Sequence, residues 1–150
     1  MKEKHLYRSI LWGISLFGVL CFIFANSLTP ASASTEESRS FFTAFLSLFP
    51  HITHRIVRKI AHLAEYALLG AHLSFAPILL PMRARATYPL TLLFGAAVAL
   101  LDEGIQYFVP GRGASFADVL LDFAGYLIGL LLMLAFFLIL TKIRRGQRNA

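Results

Sequence analysis

The stretch Leu100–Gly125, LLDEGIQYFVPGRGASFADVLLDFAG, decides how the chain folds. It closes one apolar run and opens another, with only VPGRGAS between them. Pro110, Gly111 and Gly113 supply the chemistry of a tight turn and hold Arg112 at its tip. Two apolar segments joined so closely must be antiparallel neighbours, which brings Asp102 and Glu103 near Asp118 and Asp122. A charge at the centre of a bilayer costs about 3 kcal/mol on insertion scales, so carboxylates in such a setting call for a reason.

Outward from this stretch the chain reads as membrane. Of its 150 residues, 57% are hydrophobic and 15% charged, and the aromatics include 14 Phe. The length allows one domain, residues 1–150. Apolar runs at Ile10–Leu28, Ile60–Leu80, Pro89–Val109 and Phe116–Thr141 each approach the roughly 20 residues that cross a bilayer as a helix. The expected fold class is therefore an all-α membrane protein, a bundle of four transmembrane helices. After the first span, Thr29–Ser40 is polar and rich in small residues and reads as an external loop. The next ten residues, FFTAFLSLFP, place Phe41, Phe42, Phe45, Leu46 and Phe49 at helical spacing. They predict a short external amphipathic helix, lying on the outer leaflet or docked on the bundle.

The net charge of +6 does not form the stripe of a nucleic-acid binder. Lys2, Lys4 and Arg8 precede the first run, Arg83 and Arg85 separate the second from the third, and Lys142, Arg144, Arg145 and Arg148 follow the fourth. By the positive-inside rule these clusters, and both termini, are cytoplasmic. Arg39, Arg55, Arg58, Lys59 and Arg112 would then lie outside. A rival reading makes the first run a secretory signal, with ASAS at Ala31–Ser34 as its cleavage site. Cys21 stands alone, which excludes an intramolecular disulfide.

In this orientation every unusual polar cluster falls at the outer end. Lys59, His62, Glu65 and Tyr66 step along one helical face, Glu103, Gln106 and Tyr107 along another, and Asp102 reaches Gln106 one turn on. Asp118 and Asp122 are a turn apart, and Gly125 with Gly129 continues their face as a packing surface. Arg112 is placed to fork onto a carboxylate of either neighbouring span. His72, in an otherwise apolar inner half, reads as a structural histidine bonded between helices. Neither a Gly-rich phosphate loop nor a Cys/His zinc spacing occurs, and nothing marks Ser115 as a nucleophile, so no metal or cofactor is expected.

The segments RKIAHLAEYALLG, Arg58–Gly70, and DEGIQYFVPGRGASFADVLLDFAGYLIG, Asp102–Gly129, with FANSLTPASAS at Phe24–Ser34, resemble the VanZ-like membrane protein family over nearly the whole chain. In that pattern the positions that count are Lys59, His62, Glu65, Tyr66, Asp102, Glu103, Gln106, Phe108, Pro110, Arg112, Asp118, Asp122 and Gly125. One departure is Gly104–Ile105, where relatives often carry a bulkier pair including His. The resemblance implies a multi-pass protein of the bacterial plasma membrane acting at the outer envelope face, similar to a teicoplanin-resistance factor of Gram-positive bacteria.

Three functions remain open on these residues. An outward pocket would bind the anionic headgroup of an envelope lipid or glycolipid, with Lys59, His62 and Arg112 on its oxygens and Asp102 or Glu103 accepting hydroxyls. An intramembrane enzyme would use His62, Glu65 and the Asp102–Glu103 pair as a metal site or general base. A structural or partner-binding network would balance Arg58, Lys59, His62 and Arg112 against the acids. Transport fits poorly, since the inner halves continue no polar path.

Overall fold

The computed structural model describes residues 2–33, 53–80 and 82–148, all of whose regular elements are helices. They are α1 (Lys2–Leu28), α2 (His54–Leu73), α3 (Ala76–Leu79), α4 (Ala84–Tyr107) and α5 (Phe116–Arg148). Among the described residues, three segments are long and apolar enough to cross a membrane: Leu6–Leu28, Arg85–Tyr107 and Phe116–Gln147. The amphipathic helix expected at residues 41–50 lies outside the described residues.

The second apolar run departs from its expected bounds. Its helix begins earlier, at His54, where the Thr53 hydroxyl accepts a hydrogen bond from the Ile56 amide. It ends at Leu73, and the run continues as the one-turn helix α3. Pro77 explains the break: in a continuous helix its ring would press on the Leu73 carbonyl, and it has no N–H to give. Helix α4 starts ahead of Pro89 and carries that proline inside it, and α5 runs past Thr141 to Arg148.

Helices α2 and α5 run parallel at backbone contact. A Cβ on Gly129 would sit 1.8 Å from the Ala67 carbonyl oxygen, one on Gly125 2.5 Å from that of Leu63, and one on Gly70 1.9 Å from that of Tyr126. Missing side chains on both helices thus set their separation, as in small-residue packing between membrane helices. Tyr126, fully buried, leans on the bare face of α4 at Gly95 and donates to the Thr91 carbonyl at 2.7 Å. Tyr66, also fully buried, donates to the Val98 carbonyl at 3.4 Å, which ties α2 to α4. Both tyrosines join Ile23, Leu69, Leu73, Val98, Ala99 and Leu130 in one core.

Helix α1 lies antiparallel to α2. Ser9 donates to the Leu79 carbonyl at 2.7 Å, and the Trp12 indole donates to the His72 carbonyl at 3.1 Å. The Trp12 and His72 rings stack with centroids 5.6 Å apart, and Ser15 lies 3.3 Å from His72 Nε2. His72 is therefore a bridge between two helices, as its sequence setting suggests. The outward faces carry exposed Ile14, Phe17, Phe22, Leu93, Leu101, Leu131 and Leu138, an apolar girdle suited to lipid.

Candidate functional site

The helix directions gather the end of α1, the start of α2, the α4–α5 turn and the start of α5 at one end of the bundle. The turn is fastened there: Gly111 takes φ +76°, a conformation natural to glycine. The Arg112 amide bonds back to the Val109 carbonyl at 3.1 Å, and the Ala31 amide reaches the Pro110 carbonyl at 3.4 Å.

This end encloses a cavity of about 400 Å³. Arg55, Arg58, Lys59 and Arg112 supply its positive charge; Glu103, Asp118 and Asp122 its negative charge; His62, Gln106 and Ser115 complete the polar lining. Lys59 and Asp118 pair at 2.6 Å and are both partly exposed. Glu103 accepts from the Ser115 amide at 2.9 Å, which holds the start of α5 against the end of α4. His62 Nδ1 is 3.7 Å from Asp102 Oδ2 and 3.7 Å from Asp122 Oδ1.

Of the ten polar positions singled out in the family pattern, seven line the cavity: Lys59, His62, Glu103, Gln106, Arg112, Asp118 and Asp122. The other three stand behind it. Asp102, fully buried, accepts from the Ser27 hydroxyl and from Gln106 Nε2 at 3.1 Å. Glu65 turns to α1, where Asn26 Nδ2 donates to it at 2.8 Å, and Tyr66 belongs to the core. Asn26 and Ser27, within the FANSLTPASAS stretch of the resemblance, join this network without having been singled out as site residues. Their signal was present, an adjacent amide and hydroxyl closing an apolar helix at the level of the other polar clusters.

Arg112 also departs from expectation. Its guanidinium forks onto no carboxylate among the described residues; Nη2 donates instead to the Asn26 carbonyl at 2.8 Å. That carbonyl belongs to the last turn of α1; it accepts from the Thr29 amide at 3.2 Å and keeps a second lone pair at the negative end of the helix dipole, which suits a cation. Nε and Nη1 of Arg112 are buried and have no hydrogen-bond partner among the described residues. Burial first, and then the charge of Arg58, pushes the Arg112 guanidinium down from its ordinary value, and Asp102, Glu65 and Glu103 act against that shift. It is a cation with donors to spare.

No curated protein and no solved structure matches the chain. Residues 12–139 do match the VanZ/LLP1 family, a span that includes the three helices lining the cavity and the turn bearing Arg112. The chain belongs to the VanZ/LLP1 family.

Proposed function

We propose that this protein crosses the bacterial plasma membrane four times and uses the cavity, facing outward, to bind the anionic headgroup of an envelope lipid or glycolipid. The observation that most supports the reading is the cationic lining of the cavity: Arg112, whose guanidinium pairs with no carboxylate among the described residues, stands there with Arg55, Arg58 and Lys59. Planar, forked donors of this kind suit a phosphate, and the flanking cations attract one. Glu103 and Gln106 offer acceptors for headgroup hydroxyls. Helix α2 serves as the fourth span, since its 20 residues reach about 30 Å and its charged residues gather toward its cavity end, leaving Tyr66–Leu73 almost wholly apolar. Basic clusters at both chain ends favour cytoplasmic termini. Holding a cell-envelope lipid at the outer face is also a route by which such a protein could contribute to glycopeptide antibiotic resistance, including tolerance of teicoplanin.

Native mass spectrometry of the purified full chain tests this, with phosphatidylglycerol, cardiolipin, undecaprenyl phosphate and phosphatidylethanolamine as probes. Wild type should retain one anionic lipid at least tenfold over phosphatidylethanolamine, and folded Arg112→Ala should lose that preference. Equal retention of all four by both proteins would overturn the reading.

A further inference from the structure

The geometry points to a divalent-cation site formed by His62, Asp102 and Asp122 on the wall of the cavity. One donor atom from each of α2, α4 and α5 lies within 4.8 Å of the others. Because the ligands come from three helices, no spacing along the chain could display them. His62 Nδ1 stands 3.7 Å from an oxygen of each carboxylate. That is too long for a hydrogen bond. It is close to the separation of two ligands on one ion, about 3.4 Å in a tetrahedral shell with bonds near 2.1 Å.

Asp122 supplies the independent observation. Its side chain is 1% exposed, and neither carboxylate oxygen has a hydrogen-bond donor among the described residues. A buried carboxylate without donors is strongly disfavoured, and a protonated one would still need an acceptor for its O–H. Lys59 lies on Asp118, and Arg112 donates to Asn26, so neither cation answers the need of Asp122. A divalent ion does: with neutral imidazole and two carboxylates it closes the charge balance of the site. Asp102 is already prepared as a ligand, because Ser27 and Gln106 fix its carboxylate from behind. The donor set of one imidazole nitrogen and two carboxylate oxygens suits Zn²⁺ or Mn²⁺. His62 and Asp122 both line the cavity, so the remaining coordination position would open there and could take water or an anionic oxygen. The rival arrangement is an imidazolium held between two carboxylates, with no metal.

This inference goes beyond headgroup binding and does not depend on it, so its test uses metal ions alone. The full chain, purified in detergent, stripped with EDTA and dialysed, is titrated with Zn²⁺, with Mn²⁺, and with Co²⁺ as a visible reporter. Wild type should bind one Zn²⁺ or Mn²⁺ per chain, and Co²⁺ should give d–d absorption that Zn²⁺ abolishes. His62→Ala and Asp122→Asn, compared at equal helicity, should bind at least 100-fold more weakly. A wild type without stoichiometric metal and without a Co²⁺ band would overturn the proposal whatever the variants do. Stoichiometric binding that survives both substitutions would also overturn it.

Discussion

Asp102 accepts from Ser27 and from Gln106 while fully buried, so the two partners of that network should differ in what their loss does. Ser27→Ala removes one donor and leaves Asp102 with another, which should destabilise by about 1 kcal/mol, near the usual size of a polar contact between membrane helices. Asp102→Ala strips Ser27 and Gln106 of their acceptor and deprives His62 of a neighbouring carboxylate. Its cost should be about 3 kcal/mol, in the range for removing one member of a buried charged pair. Unfolding in mixed micelles with rising SDS would measure both, and equal losses would show that the network does not close on Asp102. A second residue-scale expectation concerns Arg112. Lysine at that position keeps the charge but not the planar fork, so Arg112→Lys should restore only part of the lipid preference lost in Arg112→Ala, roughly a tenth of the wild-type affinity. Full recovery would make the site a point-charge attractor. The sequence made most of these side chains visible, since polar residues stand out in apolar runs. It could not show that Arg112 would take the Asn26 carbonyl in preference to a carboxylate, because that partner is backbone and carries no residue signature.

Between elements, the contact of α2 with α5 is made by absent side chains. Gly129→Ala would place a methyl carbon 1.8 Å from the Ala67 carbonyl oxygen, a clash with backbone that only helix separation relieves. It should destabilise by about 2 kcal/mol, within the range for overpacking. Gly104→Ala is the contrasting case, since a Cβ there meets nothing within 4 Å. It should be neutral or stabilise by up to ~1 kcal/mol through helix propensity. The same SDS titration would report both, and a tolerated Gly129→Ala would mean that the α2–α5 interface is looser than described. A further consequence is functional: separating α2 from α5 moves His62 and Lys59 away from Asp122 and Asp118, so Gly129→Ala should weaken the site from a distance. The Gly125–Gly129 spacing announced close packing, but nothing along the chain named α2 as the partner. Helix ends were less legible still. Thr53 could start α2 ahead of its apolar run because its hydroxyl caps the helix, and Pro77 cut that run where hydropathy alone saw one span.

At the scale of the molecule the decisive quantity is the number of crossings. Helices α1, α4 and α5 have the length and apolarity for a membrane, whereas α2 carries Arg55, Arg58, Lys59, His62 and Glu65 within its first twelve residues. If α2 crosses as the fourth span, the beginning of α1 and the end of α5 share one side. If it does not, an odd number of crossings places them on opposite sides. The helix directions favour the first arrangement: α2 and α5 run parallel, α4 runs against both, and Tyr66 with Tyr126 locks them side by side through the core. Labelling intact cells with a membrane-impermeant maleimide separates the two. Cys21→Ser gives a background without thiols, and single cysteines are then introduced at Lys4, Gly113 and Arg145. Four crossings predict that Gly113→Cys reacts in intact cells while Lys4→Cys and Arg145→Cys react only after permeabilisation. Labelling of Lys4→Cys or Arg145→Cys, but not both, in intact cells would show three crossings. The basic residues that line the cavity would then have to be reassigned to a re-entrant α2, whose charged start reaches the site without traversing the bilayer.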